Sequence, residues 1–355
     1  MKRCTRCILP ENYPGIGFDS KGVCDFCNNY RPQNYLGDQK LKEEIEKILN
    51  MKKRANSAYD CVVAISGGRD SSYLLWYAAK TLGLNVVAYS SEHCFVPELA
   101  IQNMKRIADK VKVELVIEKN RYFKRRCFRH HLKAFAYKPS PAMIGVLCNG
   151  CKLGIDMGIK RFAEKNNIPI VLLGGSPLEV GSYKTGLMRV NPKDKSTSSF
   201  VKGYFREILK NPKWIMNANS VVSQYQEFYH LYYRRTLKRS IRVIGPYYSY
   251  LRWNEKKIIN ALVSEMEWEH NPEKNTSTWK TDCYIAPLRK YLYKKMLGFN
   301  DMDDHLSALI RDGQLTRDEA MDRLQNEGSV PENVLSQIFS KFNIERAQWE
   351  KVIDS

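Results

Sequence analysis

A short glycine-containing segment behind an apolar run limits most strongly how this chain can fold. Residues 61–65 are apolar and predict a buried strand, Ser66-Gly67-Gly68-Arg69-Asp70-Ser71 predicts a turn, and residues 72–82 predict a helix. A strand, a glycine turn and a helix in this order direct backbone N–H groups and the positive end of the helix dipole at one point. The glycines let an anion approach the backbone, and Ser66 and Ser71 add hydroxyl donors. The segment therefore predicts a loop that binds phosphate.

Two other phosphate-binding patterns do not fit this loop. A Walker A loop needs G-x-x-x-x-G-K-[ST], and the dinucleotide fingerprint needs G-x-G-x-x-G with an acidic residue about 20 positions further on. A tight turn that binds nothing is the remaining alternative for a bare strand, turn and helix. Asp70 and Ser71 directly behind the glycines favour phosphate binding over that alternative.

Strands alternate with helices along the segment that follows the loop. Apolar runs predict strands and helical periodicity predicts helices, in the order strand 85–90, helix 98–111, strand 112–117, helix 122–136, helix 152–166 and strand 168–174. This alternation predicts an α/β fold with a doubly wound parallel sheet.

Ligands of such sheets bind beyond the carboxyl ends of the strands, so the loops that follow the strands should converge. We therefore expect Tyr89 and Ser90, at the end of the second strand, to offer backbone groups to an adenine edge. Gly174 and Gly175 follow the apolar strand 171–173 and should form a second loop against the nucleotide. Ordinary turn chemistry is the alternative for these positions.

Ten cysteines in a chain expected to be cytoplasmic indicate metal sites or buried thiols more often than disulfides. Cys4-x-x-Cys7 and Cys24-x-x-Cys27 form two knuckles whose four thiolates predict a closed tetrahedral zinc site. Zinc would fold a segment too small for a core of its own, whereas a redox dithiol would not need both knuckles.

A second set of cysteines comprises Cys148, Cys151 and Cys283. Three thiolates would leave one coordination position of a metal centre open, and buried or unpaired thiols are the alternative. The other cysteines, Cys61, Cys94 and Cys127, predict core or incidental positions.

A formal net charge of +19 over 355 residues indicates a polyanionic partner or a phosphate-rich substrate. Basic residues cluster at 121–129, at Arg234-Arg235 and at Lys238-Arg239, and solvated basic faces are the alternative for each. The N-terminus lacks the apolar segment of a signal peptide, and no apolar stretch approaches about 18 residues, so we expect a cytoplasmic protein without membrane insertion.

The loop resembles the PP-loop of the ATP pyrophosphatases, written S-G-G-x-D-S. That resemblance implies that the loop holds the β and γ phosphates of ATP while the α phosphorus passes to a substrate carbonyl oxygen. It implies catalytic roles for Asp70, Ser71 and Arg69, and nucleotide contacts from Ser66, Gly67, Gly68 and Ser71. Arg69 stands where the family usually carries lysine. Magnesium should bridge the phosphates, and Asp70 is the residue we expect to hold it.

Several motifs together resemble the N-acetyl sugar amidotransferase family of bacterial surface-polysaccharide and nonulosonic acid biosynthesis. They are Cys4-Thr5-Arg6-Cys7-Ile8-Leu9-Pro10, Pro14-Gly15-Ile16, Gly22-Val23-Cys24 with Cys27, the loop at 66–71, Cys148-x-x-Cys151, Gly174-Gly175-Ser176, Ile310-Arg311-Asp312-Gly313 and Thr316-Arg317. The resemblance implies an enzyme that adenylates the acetamido carbonyl of a sugar or sugar nucleotide and replaces AMP with ammonia, giving an acetamidino sugar.

The same resemblance implies partners and a cluster. The chain shows no glutaminase signature, and its six histidines are scattered, so we expect a separate glutaminase subunit, with a barrel-like companion that conducts ammonia. In sulfur-inserting members of the superfamily, a C-x-x-C and one distant cysteine hold a 4Fe-4S cluster with a free fourth iron, and Cys148, Cys151 and Cys283 resemble that arrangement.

Two other functions remain open from the sequence. A tRNA thiolase would use the same loop, zinc knuckles and cysteine trio, and the basic charge suits it. A non-catalytic RNA-binding zinc protein would not need residues 66–71. We expect four segments: a zinc ribbon at 1–35, a PP-loop ATP pyrophosphatase domain at 36–180, a substrate-facing insertion at 181–286 without a clear sheet, and a helical C-terminal region at 287–355.

Overall fold

The computed structural model describes residues 1–52, 57–92, 95–119, 121–179, 183–188, 197–218, 221, 241–270 and 277–354. Cys94 and the basic pairs Arg234-Arg235 and Lys238-Arg239 lie outside the described residues. Among the helices of the described segments, none is both long enough and apolar enough to cross a lipid bilayer.

Five parallel strands form the central sheet: β1 (Cys61–Ala64), β2 (Val86–Glu92), β3 (Glu114–Lys119), β4 (Ile170–Leu172) and β5 (Arg242–Ile244). Their order in space is β3-β2-β1-β4-β5. The chain runs outward from β1 to β3 and then returns to the other side of β1, so the order reverses between β1 and β4. In an open parallel sheet the ligand crevice lies at that reversal.

Helices cover both faces of this sheet, because successive strand residues point to opposite sides. Val63 of β1 packs in the same core as α2 (Gly37–Lys52), α3 (Arg69–Trp76), α4 (Glu98–Val111) and α10 (Glu255–Met266). Val62, its neighbour, packs with Ile159 and Ala163 of α6 (Asn149–Lys165) on the other face. The doubly wound parallel sheet predicted from the sequence is confirmed.

The remaining helices precede the sheet, connect its strands or form the C-terminal region. They are α1 (Asp25–Asn28), α5 (Arg121–Tyr137), α7 (Tyr183–Leu187), α8 (Thr197–Lys210), α9 (Pro246–Ser249), α11 (Ile285–Leu297), α12 (Asp301–Arg311), α13 (Arg317–Glu327), α14 (Glu332–Phe342) and α15 (Arg346–Asp354). The predicted helical C-terminal region is confirmed.

A separate core lies outside the sheet and joins distant parts of the chain. It contains the four N-terminal knuckle cysteines together with apolar residues of α5, of the 3₁₀ segment Pro141–Cys148, of α11 and of α14. The N-terminal ribbon therefore packs directly on the C-terminal helices.

One part of the segment 181–286 differs from the expectation of no clear sheet. Residues 242–244 pair in parallel with β4, from Ile170 beside Arg242 to Leu172 beside Ile244. Three residues at the edge of a sheet are too short a run to give a periodic signal, and the first two of them are exposed to solvent. The four segment boundaries stay a prediction.

Candidate active site

The predicted phosphate loop leaves β1 and enters α3 through a backbone shape that requires glycine. Gly67 has φ +80°, and a Cβ at this position would lie 2.1 Å from the carbonyl oxygen of Ala100. Trp268 fixes the same residue by donating its indole N–H to the Gly67 carbonyl at 2.9 Å. Both the left-handed backbone and the close approach of α4 exclude a side chain here.

The serines of the loop bring its two ends together. The backbone N–H of Ser66 donates to Oγ of Ser71 at 3.1 Å, and the two hydroxyl oxygens lie 3.1 Å apart. Gly68 is the N-cap of α3, and among the described residues no side chain caps that end of the helix. The N–H of Gly68 donates to Oγ of Ser66 at 3.4 Å, so the uncapped start of α3 lies beside the serine hydroxyls, as in helix N-termini that bind anions.

The loop that follows β4 packs on this phosphate loop, as the parallel sheet predicts. A Cβ at Gly174 would lie 3.0 Å from both the backbone N and the Cα of Ser71. Gly175 is exposed and lies beside Tyr248, whose hydroxyl would be 3.3 Å from an added Cβ. The structure therefore brings Gly174 to the loop; nucleotide contacts from either glycine stay a prediction.

Tyr89 and Ser90 are buried within β2, which continues to Glu92, so the expectation that they end the second strand is wrong. The Tyr89 carbonyl already accepts the Ile65 N–H at 2.9 Å, and its hydroxyl donates to Glu118. Burial raises the pKa of that hydroxyl, so it stays protonated. The reading of adenine by these residues stays a prediction.

Three carboxyl groups surround the phosphate loop, and sequence reasoning found only Asp70. Trp253 donates its indole N–H to Asp70 at 2.7 Å. Glu179 shares a hydrogen bond with Asp70, and its pKa rises to about 8 because it is buried and faces that carboxylate. Asp282 pairs with Ser66, and its Oδ2 would lie 3.2 Å from a Cβ at Gly68.

Only an indirect signal pointed to these two missed residues. Asp282 precedes Cys283, which the sequence singled out, and Glu179 lies a few residues beyond Gly175. Neither carboxylate belongs to a motif that fixes its distance from the loop. Burial raises the pKa of Asp282 as well. Carboxylate oxygens are the ligands that magnesium prefers, so this group of carboxyls fits that ion.

Arg69 points into the protein, where its guanidinium meets acidic partners. Its side chain is 2% exposed, and Nη1 lies 2.5 Å from Oε1 of Glu255. Arg323 approaches the same carboxylate at 2.6 Å, while Glu179 lies 3.4 Å from Nη2 of Arg69. These ion pairs occupy Arg69, and its predicted catalytic role stays a prediction without support from its contacts.

The four N-terminal cysteines form a compact buried group. Their sulfur atoms all lie within 4.8 Å of one another, with Cys4 and Cys27 at 4.0 Å and Cys7 and Cys24 at 3.7 Å. A tetrahedral zinc ion with Zn–S distances of about 2.3 Å would space its sulfurs by about 3.8 Å. The residues therefore fit the predicted structural zinc site.

Cys148 and Cys151 belong to one buried core, and Cys283 is a partly buried residue packed against that core. Cys148 precedes α6 and Cys151 lies in its first turn, while Cys283 precedes α11. Arg289 of α11 donates from Nη1 to the Cys148 sulfur at 3.4 Å. Burial, with Cys148 nearby, raises the pKa of Cys283 to about 12. Among the described residues, only the N-terminal cysteines place three or more potential metal ligands within 4.8 Å of one another, so cluster binding by Cys148, Cys151 and Cys283 stays a prediction.

Comparison with protein families identifies the C-terminal part of the chain. The model described as "LPS biosynthesis protein WbpG-like, C-terminal domain" matches residues 273–355. The similarity covers this C-terminal part and not the rest of the chain. The WbpG-like domain contains Asp282, Cys283 and Arg289, so it contributes to the site as well as to the helical region. The resemblance to surface-polysaccharide proteins is thereby confirmed.

Other similarities are more distant. The uncharacterized protein MJ1599 of Methanocaldococcus jannaschii is 27% identical over 118 residues, which cover 32% of this chain and 42% of that protein. The chain thus matches about two fifths of the length of this curated relative.

Three solved structures share limited similarity with the fold. The NMN synthetase of Francisella tularensis has a TM-score of 0.28 at 14% identity, covering 57% of this chain and 97% of that one. The NH3-dependent NAD synthetase of Campylobacter jejuni has a TM-score of 0.29 at 17% identity, and the match covers 64% of this chain and 93% of the synthetase chain. The U34-tRNA thiolase NcsA of Methanococcus maripaludis has a TM-score of 0.34 at 11% identity, covering 100% and 89%. At such scores, the fold of this chain rests on its own sheet and loop.

Proposed function

We propose that this chain is an ATP-dependent enzyme of lipopolysaccharide biosynthesis that forms AMP and pyrophosphate. The observation that carries the proposal is the loop at the sheet's reversal point, where Gly67 adopts a left-handed backbone, the hydroxyls of Ser66 and Ser71 lie 3.1 Å apart and no described side chain caps the start of α3. The WbpG-like domain supports the biosynthetic context.

The reaction that fits best is amidine formation on an N-acetyl sugar. An amide carbonyl resists ammonia, because its oxygen is a poor leaving group. Attack of that oxygen on the α phosphorus of ATP forms an O–P bond, breaks the bond to pyrophosphate and gives an adenylated imidate. Ammonia then attacks the carbon, AMP departs with the oxygen, and a released proton leaves an acetamidino group. The nucleoside linkage of the sugar is left open.

The chain's own groups serve the first step by holding charge. The N–H groups at the start of α3 and the hydroxyls of Ser66 and Ser71 would bind the phosphates that leave as pyrophosphate. Asp70 and Asp282 would hold magnesium, which when bound would neutralise the phosphates. Gly174 lies against Ser71 and keeps the second loop in place.

Ammonia is proposed to come from a separate glutaminase subunit through a barrel-like companion. The sequence offers no nucleophile elbow or second hydrolase domain for this step. Ammonium alone should therefore support turnover by the isolated chain, whereas glutamine should require the partner.

A tRNA thiolase is the second candidate, because Cys148, Cys151 and Cys283 share one core beside Asp282. Such a trio would suit a 4Fe-4S cluster that delivers sulfur. Thiolated nucleosides in tRNA, formed by the anaerobically purified chain, would support this candidate over the sugar enzyme.

The decisive experiment incubates the purified chain with ATP, magnesium, [¹⁵N]ammonium and a panel of N-acetyl sugars, free and nucleotide-linked. We expect AMP, pyrophosphate and a product in which NH replaces one oxygen, detected by mass spectrometry. The same assay is run on Gly67→Ala, which alters the loop. Its matched control is Gly83→Ala, since Gly83 is also left-handed but has nothing within 4 Å of an added Cβ. Formation of ADP, or turnover of tRNA alone, would contradict the proposal.

A further inference from the structure

Arg69 is the cation inside the phosphate loop, and its guanidinium forms ion pairs with Glu255 and Glu179. The loop opening, where Asp70, Glu179 and Asp282 lie, is therefore left with unbalanced negative charge. ATP brings several negative charges to a place where Asp70, Glu179 and Asp282 already stand. Adenylation transfers further negative charge to the departing pyrophosphate, and a positioned cation is the common means of stabilising it. A cation from the protein near the opening would add to the magnesium proposed above in stabilising that charge.

We propose that Lys280 is that cation and that its ammonium group contacts the α phosphate during adenylation. This inference deepens the proposed AMP-forming reaction and rests on it. Lys280 lies two residues before Asp282 and three before Cys283.

Lys280 lies in a segment that contacts the loop on both sides of it. Nη1 of Arg69 donates to Oγ1 of Thr278 at 2.9 Å, and Oδ2 of Asp282 would lie 3.2 Å from a Cβ at Gly68. Nζ of Lys280 lies 3.0 Å from Oδ2 of Asp301 and 3.9 Å from the centroid of the Trp279 ring. At 31% exposure, the ammonium is held by two partners yet open to a ligand.

The backbone of Lys280 is a second, independent sign. Its φ of +56° lies in the left-handed region, which a lysine adopts only where its surroundings impose it. Residues on both sides of Lys280 have fixed partners. The Trp279 ring stacks on the His305 ring with the centroids 4.3 Å apart, and Asp282, two positions further on, pairs with Ser66. The chain therefore holds a lysine in an unfavourable conformation beside the loop, where glycine would fit with less strain.

The ion pair of Lys280 does not prevent this role, since its carboxylate has a second partner. Lys184 lies 2.8 Å from Oδ1 of Asp301. Burial, together with the positive charges of Arg289 and Lys280, lowers the pKa of Lys184 to about 8, while Asp301 opposes that shift. When Lys280 turns to a phosphate, Asp301 keeps Lys184 and is not left unpaired.

The test compares Lys280→Met, Lys280→Gly and Lys280→Arg with Lys294→Met, an exposed lysine on α11. AMP formation from ATP is measured both with an N-acetyl sugar and with water as the acceptor, and ATP affinity by calorimetry. We expect the Met and Gly variants to lose about a hundredfold in AMP formation while ATP affinity changes less than about threefold. Arginine should restore most of the rate, and Lys294→Met should behave as wild type.

The Gly variant separates charge from folding, because glycine accepts the left-handed backbone without strain. Met or Gly variants that form AMP within about threefold of the wild-type rate would overturn the proposal. A second result would also overturn the proposal: a Met variant that loses both AMP formation and ATP affinity, together with a Gly variant that loses neither. If the wild-type protein forms AMP with water but not with sugars, only the proposed sugar reaction is contradicted. If it forms no AMP with either acceptor, the proposed function and the role of Lys280 are both contradicted.

Discussion

Gly67→Ala should damage the phosphate loop more than an ordinary strained substitution does. An alanine at φ +80° adopts the left-handed region at a cost of about 1–2 kcal/mol. Its Cβ would also stand 2.1 Å from the Ala100 carbonyl oxygen, about 1.3 Å short of the 3.4 Å at which ordinary contact begins. Because that oxygen belongs to the backbone of α4, relief requires a shift of the loop or the helix, costing about 1–3 kcal/mol more.

Gly83→Ala measures the cost of the left-handed backbone alone, without a steric clash. Gly83 has φ +66°, and nothing lies within 4 Å of an added Cβ. Urea unfolding should therefore show a loss of about 1–2 kcal/mol for Gly83→Ala and about 2–5 kcal/mol for Gly67→Ala. Calorimetry should find ATP binding unchanged in the first variant and lost in the second. Equal destabilisation of the two, or normal ATP affinity in Gly67→Ala, would refute the loop geometry and its role.

Three further outcomes follow from the described contacts. Cys24→Ser, or a chelator, should release zinc as measured by metal analysis and lower the melting temperature of the whole chain; retained zinc in Cys24→Ser would contradict the site. Glu255→Gln should destabilise the fold by about 3–5 kcal/mol in urea titrations, because Arg69 and Arg323 lose their shared carboxylate. Burial lowers the pKa of His131 to about 4 from 6.5, so the unfolded chain binds its proton first, and unfolding free energy should fall as pH drops from 6.5 to 4. His131→Gln should flatten that slope; an unchanged slope would contradict the assignment.

Local sequence signals carried the sheet and the loop. The strands β1, β2 and β4 are short apolar runs that end in polar or glycine-containing turns, so their place and parallel direction follow from composition and alternation. Gly67 and Gly174 could be singled out for the same reason, because glycine marks positions where backbone must approach backbone. The zinc knuckles were equally local, with each pair of ligands only three residues apart.

Contacts between distant residues could not be predicted in this way. Arg69 meets Glu255, and Asp282 meets Ser66, across intervals that no spacing rule connects. The family resemblance implies a catalytic role for Arg69, which replaces a lysine of the motif, yet the acidic side chains that surround it belong to other elements. β5 was missed because an edge strand of three residues is defined by its neighbour β4 rather than by its own pattern.

The C-terminal motif of the family resemblance has a structural explanation in the N-terminal ribbon. Arg311 approaches the Cys7 sulfur at 3.8 Å, and Nε of Arg317 donates to the carbonyls of Cys4 and Cys7 at 3.3 and 3.2 Å. Both arginines thus bring positive charge to a group of thiolates, which a zinc ion alone leaves with net negative charge. The same WbpG-like domain carries Lys280 and Asp282 to the phosphate loop. We therefore expect bound zinc to stabilise the ribbon surface on which this domain docks, so that the loop opening would depend on a metal site that takes no part in the chemistry.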